Sequence, residues 1–508
     1  MGTSTAPEIL WAQVSEFVAE QIGLHFPPER WADLQRGLAG TADELGFADV
    51  MACAQSLLAS PLTKAQLQVL ATHLTIGETY FFREKGTFEV LATSVIPDLI
   101  RSRQNGERRL RLWSAACCTG EEPYSLAILL HQVIPDLAHW NVTILATDIN
   151  ARFLQKAAAG VYGEWSFRES PAWLKERYFQ RTADGRHAIL PEIKKRVTFM
   201  HLNLVDDIYP ALATDTNAMD VIFCRNVLMY FTPPKARKAL GNLRQALVED
   251  GWLVVSPSEG SQALLSRFIP VNFPGVILYQ KSDPKLRTAQ SRTPMPLGVS
   301  ATFITPALES PSSWTPQMPA LAPVESPPAL PTKEPVPAGA PPTPCAVAAA
   351  LYQQGRFAEA TDTLLNSLTA HDAPNPPLFS LLARALANQG KLADALAWCD
   401  RWVAADKLDA SSHYLRAVVL QELGDNVQAR RSFQRAIYLL PDCVLAHFAL
   451  GNLARGHGKN DEAGKHFANA AHLLRGCQPG DLLPESDGLT TGRLTEIIAS
   501  IVDMETTP

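Results

Sequence analysis

A proline-rich segment limits what the rest of this chain can fold into. Sixteen of the 38 prolines fall between Pro284 and Pro344, among many Ser, Thr and Ala residues. Such a composition cannot supply a packed core and favours an extended, polyproline-like linker. We therefore expect a linker over residues 284–344, with folded parts before and after it. The length agrees, because 508 residues exceed what one hydrophobic core usually holds.

The overall composition argues against several classes of protein. Asp and Glu outnumber Lys and Arg by 51 to 45, for a formal net charge of -6, so no general basic surface for nucleic acid is expected. No apolar run approaches the roughly 18 to 20 residues of a membrane-spanning helix, and the start MGTSTAPEIL does not resemble a secretory signal. The eight cysteines form no C-x-x-C pattern and no cluster with histidine. We expect a cytoplasmic protein without disulfides or a metal site.

Glycines recur with a regular period beyond the proline-rich segment. They are spaced by 35, 34 and 34 residues, and each is followed five residues later by alanine: Gly355, Gly390, Gly424 and Gly458. A period of about 34 residues is that of the tetratricopeptide repeat, a pair of helices that stacks on its neighbours. We expect an all-α array of three to four repeats over residues 345–476, followed by a C-terminal tail over residues 477–508. Unrelated helical hairpins with chance glycines are the alternative.

The part before the linker shows two different patterns. In the first hundred residues, segments such as WADLQRGL and KAQLQVLATHL carry apolar residues at helical spacing. From Leu110 onward, short β-branched runs (LRLW, VTILATD, VTFMHLN, MDVIFCRN, GWLVVSP) alternate with helical stretches. That alternation is typical of a mainly parallel sheet covered on both faces. We predict an all-α domain over residues 1–105 and an α/β domain over residues 106–283.

The loop after the first predicted strand has the composition of a cofactor site. This loop, SAACCTGEEP over residues 114–123, lies where ligands bind in open α/β sheets. It lacks the glycine spacing and the lysine of phosphate-binding loops, and its adjacent glutamates would repel phosphate. The second predicted strand ends at Asp148, whose carboxylate can accept hydrogen bonds from both ribose hydroxyls. Asp148 or Asn150 could equally cap a helix. Together the two features favour a nucleoside with an amino-acid arm, S-adenosylmethionine.

Five motifs, in order, resemble those of the CheR-type chemotaxis receptor methyltransferases. They are ETYFFRE (78–84), WSAACCTGEEPYS (113–125), ATDI (146–149), NL (203–204) and IFCRNVLMYF (222–231). The resemblance covers about residues 10–280. It implies a helical domain over a Rossmann-like methyltransferase domain with a small antiparallel β insertion. It also implies methyl transfer from S-adenosylmethionine to glutamate side chains on the cytoplasmic helices of a chemoreceptor, giving γ-glutamyl methyl esters and S-adenosylhomocysteine.

The resemblance also implies roles for individual residues. Thr79 and Arg83 would close over the cofactor, Glu122 would hold its amine and Asp148 its ribose. Four further residues would frame the adenine and the methionine arm: Asn203, Leu204, Arg225 and Asn226. Tyr230 would sit beside the methyl group, so Arg83 and Tyr230 are the predicted catalytic residues.

The predicted chemistry needs no catalytic His or Cys, because a carboxylate nucleophile is already ionised near neutral pH. Arg83 is expected to clamp the substrate carboxylate, and a structural ion pair with a glutamate is the alternative. The aromatic run over residues 80–82 is expected to pack in the core. Gly77 stands where several family members have a cofactor-contacting asparagine, so that contact is either lost or made by backbone.

Other departures concern the partners. The first 80 residues carry three basic side chains against nine acidic ones, which puts in question docking of an acidic receptor helix by this domain. The predicted β insertion, near residues 178–197, has a short loop with one glycine, which predicts action independent of a receptor's C-terminal pentapeptide. The repeat array is expected to recruit an unidentified protein or peptide. Two other readings stay open: a catalytically weak adaptor acting through its repeats, and a methylase of a small acid.

Overall fold

The computed structural model describes residues 6–104, 106–205, 209–261, 263–282, 343–368 and 375–506. The residues up to Ser282 and those from Pro344 onward form one compact unit. The predicted linker lies, apart from its last two residues, outside the described residues. The predicted domain boundaries stay predictions.

Four helices build the N-terminal layer: α1 (Ala6–Ile22), α2 (Trp31–Leu45), α3 (Val50–Ala59) and α4 (Lys64–Leu74). Their apolar faces meet in one core that includes Trp11, Leu34 and Leu57. A capping box between Thr63 and Gln66 fixes the start of α4. The predicted all-α character of this part is confirmed. Residues 75–84 then lead to α5 (Lys85–Val90), a π-helical turn (Leu91–Val95) and α6 (Ile96–Arg103).

A seven-stranded sheet forms the centre of the molecule. Its strands in chain order are β1 (Arg109–Ala115), β2 (Asn141–Asp148), β6 (Val197–His201), β7 (Met219–Cys224), β8 (Leu247–Val254), β9 (Ile269–Phe273) and β10 (Val276–Gln280). The spatial order is β6-β2-β1-β7-β8-β10-β9. The first five strands are parallel to one another. Strand β10 pairs antiparallel with β8 on one side and with β9 on the other. Strands β1 and β7 are buried along their whole length, including the charged residues Arg109, Arg111 and Asp220. The main connecting helices are α7 (Glu121–Val133), α8 (Ala151–Ala159) and α11 (Pro233–Ala246).

The predicted small β insertion is confirmed. Strands β3 (Val161–Tyr162), β4 (Phe179–Arg181) and β5 (His187–Ile189) form a separate antiparallel sheet in the order β3-β5-β4. Two short helices flank it, α9 (Ala172–Tyr178) and α10 (Pro191–Lys194). Phe81 packs fully buried against this insertion, with ring centroids 5.0 Å from those of Tyr162, Phe167 and Phe179. The expectation of core packing therefore holds for Phe81.

Four helix pairs form the predicted repeat array. The pairs are α12 (Pro344–Gln353) with α13 (Phe357–Ser367), α14 (Pro376–Asn388) with α15 (Leu392–Ala405), α16 (Ala410–Glu422) with α17 (Asn426–Leu439), and α18 (Val444–Gly456) with α19 (Asn460–Leu474). The periodic glycines occupy the turns inside the pairs, with φ between +71° and +86°. That left-handed conformation favours glycine, which explains the period in the sequence. Phe433 and Phe467 are fully buried between helices.

The turns at Gly355, Gly390 and Gly424 lie against the α/β part of the chain. A Cβ on Gly355 would meet the Gln245 side chain at 2.4 Å, and one on Gly424 would meet that of Asn141 at 3.3 Å. Successive repeats therefore present their tightest turns to α11 and to the start of β2. The same glycines that form the turns also permit this close approach.

Glu422, at the end of α16, is the polar centre of this contact. Its carboxylate is 2% exposed and accepts hydrogen bonds from Arg109 Nη2 at 3.2 Å and Asn217 Nδ2 at 3.0 Å. Its backbone carbonyl accepts one from Asn141 Nδ2 at 2.6 Å. Because Arg109 and Asn141 begin β1 and β2, the array meets the amino ends of the parallel strands, the edge opposite the predicted cofactor site.

The segment expected to be a tail contains a further helix, α20 (Thr491–Thr506). Its buried residues Leu494, Ile497, Ile498 and Ile501 recur at helical spacing, so this part of the expected tail is a helix. The helix packs against α19, α8 and the edge strand β6. It covers part of the sheet edge that would otherwise be open.

Candidate functional site

The loop between β1 and α7 brings backbone close to the carboxyl ends of β1 and β2. Ala116, Cys118 and Gly120 all have left-handed φ values, of 63°, 52° and 93°. A Cβ on Gly120 would stand 2.8 Å from that of Ala157, so only glycine fits there. The loop turns the Cys118 amide toward the end of β2, where it donates to Asp148 Oδ2 at 2.9 Å.

Asp148 is a buried carboxylate that backbone amides hold in place. The Asn150 amide donates to Asp148 Oδ1 at 2.8 Å, while the Asn150 side chain itself caps α8. The capping role therefore belongs to Asn150. Burial raises the pKa of Asp148 to about 6, against an ordinary value of 3.8, and the amides oppose that rise only in part. A ligand that donates hydrogen bonds to this carboxylate would favour its ionised form.

Glu122 and Arg225 form the charged centre of the site. Arg225 Nη1 lies 3.1 Å from Glu122 Oε2, and Ser114 Oγ donates to Glu122 Oε1 at 2.7 Å. Arg225 also donates to the Arg83 carbonyl at 2.9 Å and pairs with Glu84 at 2.8 Å, so it ties residues 83–84 to the sheet. Burial raises the pKa of Glu122, and Arg225 opposes the rise.

A small cavity of about 60 Å³ brings five of the predicted site residues together. They are Thr79, Arg83, Glu122, Arg225 and Asn226. Cys117 and Cys118 line the same cavity. The Arg83 guanidinium donates to the Glu78 carbonyl at 2.7 Å rather than to a carboxylate in the described part of the chain. Its position favours the proposed clamp over a structural ion pair.

A second cavity, of about 430 Å³, lies beside the end of β2. It is lined by Ile149 and Asn203, by Gln21 from the N-terminal layer, and by Arg493 from α20. Asn203 Nδ2 donates to the Gln21 carbonyl at 2.9 Å, which joins the helical layer to the sheet. Leu204 is buried in the core behind it.

Arg493 is a wall residue that the sequence analysis missed. Its guanidinium donates to the His201 carbonyl at 2.9 Å and meets His201 Nδ1 at 3.0 Å. Burial, and next the charge of Arg493, lower the pKa of His201 to about 4, so the ring is neutral and accepts this bond. The spacing of apolar residues in α20 is the signal that could have found it.

Five of the ten predicted site residues do not line the 60 Å³ cavity: Asp148, Asn203, Leu204, Tyr230 and Gly77. Tyr230 lines a separate small cavity, where its ring lies 5.3 Å from the Arg30 guanidinium and its carbonyl accepts from the His25 amide at 2.8 Å. Gly77 packs on Phe153, whose Cζ would lie 2.8 Å from an added Cβ. An asparagine at position 77 would displace that ring, so any cofactor contact here comes from backbone.

Glu259 is a second residue that the sequence analysis missed. Its carboxylate accepts from the backbone amides of Asn226 at 2.8 Å, Val227 at 2.7 Å and Met229 at 3.3 Å. With Ser256 it forms a capping box after β8. This buried charge therefore holds the turn between Arg225 and Tyr230. The Ser-x-x-Glu pattern behind a strand is the signal that could have revealed it.

The two cleft cysteines are neutral. Burial raises the pKa of Cys117 and of Cys118, and the nearby Asp148 carboxylate adds to both shifts. Thiols in such surroundings are poor nucleophiles. Their contribution is to be small and apolar, which keeps the loop narrow.

The donor set fits S-adenosylmethionine. Glu122 offers a carboxylate to an ammonium group and Asp148 offers one to ribose hydroxyls, while the buried Arg225 Nε has no hydrogen-bond partner among the described residues and suits a carboxylate. In the described ranges, no three His, Cys, Asp or Glu side chains are grouped to hold a metal ion. None of the helices in those ranges has the length and hydropathy needed to cross a bilayer.

Sequence comparison identifies two families. Residues 77–274 match the family described as "CheR methyltransferase, SAM binding domain", and residues 347–410 and 414–481 match the tetratricopeptide repeat. Chemotaxis protein methyltransferase 2 of Vibrio cholerae is 37% identical over 203 residues, which cover 40% of this chain and 69% of that relative. The probable biofilm formation methyltransferase WspC of Pseudomonas aeruginosa is 28% identical over 398 residues, 77% of this chain and 83% of that relative.

Comparison with solved structures adds little. The crystal structure of MamA is 20% identical and covers 26% of this chain and 77% of its own, with a TM-score of 0.25. A likeness this weak carries no argument about this chain. The cleft, its donor set and the family matches are the findings on which a function can be built.

Proposed function

This chain belongs to the CheR methyltransferase family, and on that premise we propose that its cleft methylates glutamate side chains of a chemoreceptor, giving γ-glutamyl methyl esters. The chain is a methyltransferase that uses S-adenosylmethionine. The observation that carries the proposal is the joining of Thr79, Arg83, Glu122, Arg225 and Asn226 around one cavity at the carboxyl ends of the strands.

In the 60 Å³ cavity, one acidic and one basic side chain are available to bind the two charged groups of the methionine arm. We assign the ammonium group to Glu122, whose charge Arg225 keeps available despite burial. We assign the carboxylate to the free Nε of Arg225. Thr79, on the segment that crosses the cavity, and Asn226 complete the enclosure.

The nucleoside end is assigned to the residues that follow β2 and β6. Asp148 accepts hydrogen bonds from the ribose hydroxyls, and Asn203 and Leu204 border the adenine. The larger cavity beside Ile149 and Asn203 supports this placement. Gly77 contributes through backbone.

Methyl transfer requires an ionised carboxylate brought in line and stripped of water. When bound, S-adenosylmethionine supplies an electrophilic methyl group. Arg83 holds the substrate carboxylate beside the cavity and makes good part of its lost hydration. We keep Tyr230, which lines a neighbouring cavity beyond the turn held by Glu259, as the proposed guide for the approach of that carboxylate. No residue has to remove a proton, in agreement with the neutral cleft cysteines.

Labelling receptor-containing membranes with methyl-labelled cofactor tests the proposal. We expect base-labile methanol from the unaltered chain, and no product above background from Arg83→Ala. Arg237→Ala, which changes an exposed arginine on α11, is the matched control and should keep full transfer. Unchanged turnover in Arg83→Ala would remove Arg83 from the mechanism.

The same experiment addresses the adaptor alternative. A chain that binds the cofactor in calorimetry but labels no receptor would be a scaffold acting through its repeats. Label appearing in a small acid rather than in the receptor would point to the third reading. The intact donor set around the 60 Å³ cavity favours an active enzyme over the scaffold.

Three proposals concern the surroundings of the enzyme. We place it in the cytoplasm, where receptor signalling helices lie, and we assign the recruitment of a partner to the repeat array.

We also propose that it acts without a receptor's C-terminal pentapeptide. The β4–β5 turn supports this: Thr182 closes it with a hydrogen bond from its amide to the Arg186 carbonyl at 2.9 Å, leaving no long loop to hold a peptide. Measurable affinity for such a pentapeptide in calorimetry would refute the last proposal.

A further inference from the structure

A second cleft, distinct from the cofactor site and about 1010 Å³ in volume, separates the first helices of the array from the methyltransferase part. One wall consists of α12 and α14, with Tyr352, Arg384 and Asn388. The opposite wall includes Tyr209 and Gln245. Stacked repeats of this kind create extended concave surfaces suited to binding a partner.

The chain's own residues 482–489 lie at one side of this cleft, on Arg384. Arg384, whose side chain is 8% exposed, pairs with Glu485 and at 2.8 Å with Asp487. Tyr352 Oη donates to Asp487 Oδ1 at 3.2 Å and accepts from Asn388 Nδ2 at 3.0 Å. A short acidic segment therefore occupies a buried cationic site on the repeat surface.

The segment fits this site imperfectly. Glu485 and Asp487 both have left-handed φ values, of 62° and 56°, which are unfavourable for residues with a side chain. Asp487 Oδ2 is buried without a hydrogen-bond partner in the described structure, and so is Nε1 of Trp402, which lines the same cleft. A buried donor and a buried acceptor are left unsatisfied in a cleft that still has free volume.

We propose that this cleft is a binding site for an acidic, extended peptide of a partner protein, and that residues 482–489 are its intramolecular substitute. The proposal rests on the proposed function in assigning partner recruitment to the array. The partner segment carries two carboxylates two residues apart, which take Arg384 in place of Glu485 and Asp487. A peptide free of the left-handed turns satisfies Arg384 without the strain, and a further acceptor satisfies Trp402.

The intramolecular segment competes at an effective concentration on the order of millimolar, so the test weakens it first. We would prepare the full chain with Glu485→Gln and Asp487→Asn and titrate it with a fluorescent peptide of the sequence DLLPESDGLT, residues 481–490. We expect this variant to bind the peptide at least tenfold more tightly than the unaltered chain. The control variant, Asp394→Asn with Asp461→Asn, makes the same change in net charge at exposed positions of the array and should behave as the unaltered chain.

A second peptide, DLLPQSNGLT, removes the two carboxylates and tests the chemistry. We expect it to bind the double variant at least tenfold more weakly than the acidic peptide. Equal binding of the two peptides, or no binding of either, would overturn the proposal. Arg384→Met should also abolish binding, and if that variant fails to fold, the comparison of the two peptides still decides. Peptide binding needs neither methyl donor nor receptor, so failure here is distinct from failure of methyl transfer.

Discussion

Arg225 joins the segment over the cofactor cavity to Glu122, with its Nη1 3.1 Å from Glu122 Oε2 and its Nη2 2.9 Å from the Arg83 carbonyl. One buried guanidinium therefore opposes the rise that burial causes in the pKa of Glu122, and it also holds the backbone of the predicted catalytic arginine. Performing both tasks at once requires the several fixed donors of a guanidinium group.

Arg225→Met should weaken binding of S-adenosylhomocysteine at least tenfold. Without its partner, the pKa of Glu122 rises further, and a protonated Glu122 no longer attracts an ammonium group. The affinity of Arg225→Lys for S-adenosylhomocysteine should lie between those of Arg225→Met and the unaltered chain, because lysine keeps the charge but not the several fixed donors of the guanidinium. Calorimetry at pH 7.5 measures both, with Arg237→Met as the exposed control. Affinities within twofold of the unaltered chain would contradict the assignment.

Cofactor affinity should fall as the pH drops through about 6, the pKa that burial gives Asp148. Protonation removes the acceptor for the ribose hydroxyls, so affinity declines by up to about tenfold per pH unit below that value. The free energy of unfolding changes in the opposite direction. Because the pKa of Asp148 is raised in the folded chain, its burial destabilises the fold most above about pH 6, and this destabilisation is relieved as the pH falls. Titrations from pH 5 to 8 should show the decline, and Asp148→Asn should bind weakly without that part of it. Asp98→Asn, which changes an exposed residue on α6 that lines neither the 60 Å³ nor the 430 Å³ cavity, should retain the full profile.

Glu259→Gln should lower kcat/KM by about 10- to 100-fold, because the turn between Arg225 and Tyr230 loses its alignment. An amide places an N–H group against one of the backbone donors that Glu259 now accepts, so the free energy of unfolding should also fall, by about 1.5–3 kcal/mol. Urea unfolding and steady-state kinetics measure the two effects. Glu176→Gln, an exposed glutamate on α9, should change neither. Full activity with the lower stability would reduce Glu259 to a purely structural role.

Gly355→Ala should destabilise the chain more than Gly458→Ala. Both glycines have nearly the same φ, +71° and +72°, so the backbone strain of about 1–2 kcal/mol is shared. Of these two positions, only 355 places the added methyl group against another side chain, that of Gln245, at 2.4 Å. The difference in urea midpoint therefore reports the contact between array and catalytic part. Equal losses would mean that this contact yields without cost.

The cysteines should separate by reactivity at pH 7.5. Cys477 is exposed, whereas burial raises the pKa of Cys117 and Cys118. A maleimide should therefore label Cys477 first and reach the cleft pair only after unfolding. Cys477→Ser should remove the fast phase, as measured by mass spectrometry. Rapid labelling of the cleft pair in the folded chain would contradict the neutral thiols described above.

The sequence predicted the elements whose period is locally encoded. Short, largely apolar runs predicted the parallel strands, and the 34-residue glycine period predicted the repeats because each turn needs a left-handed residue. The assembly of Thr79, Arg83, Glu122 and Asn226 around one cavity agrees with the motif-based expectation. Their individual roles stay predictions.

Long-range partnerships could not be read in the same way. Nothing near Glu422 in the sequence identifies Arg109 as its partner, more than 300 residues earlier. Glu259 lies outside the recognised motifs, although it holds one of them. The helix of Arg493 carries no motif, and its only signal in the sequence is the amphipathic spacing of Leu494, Ile497, Ile498 and Ile501.

The docking of α20 on β6 has a consequence for the order of synthesis. The strands and loops of the cleft leave the ribosome long before residues 491–506, yet Arg493 forms part of the wall beside Asn203. A nascent chain thus carries every cleft motif while one side of the nucleoside end is still open. Ribosome-bound chains halted before residue 491 should be less ordered at this edge. Chains truncated there should keep all the predicted catalytic motifs and still have an incomplete wall beside Asn203.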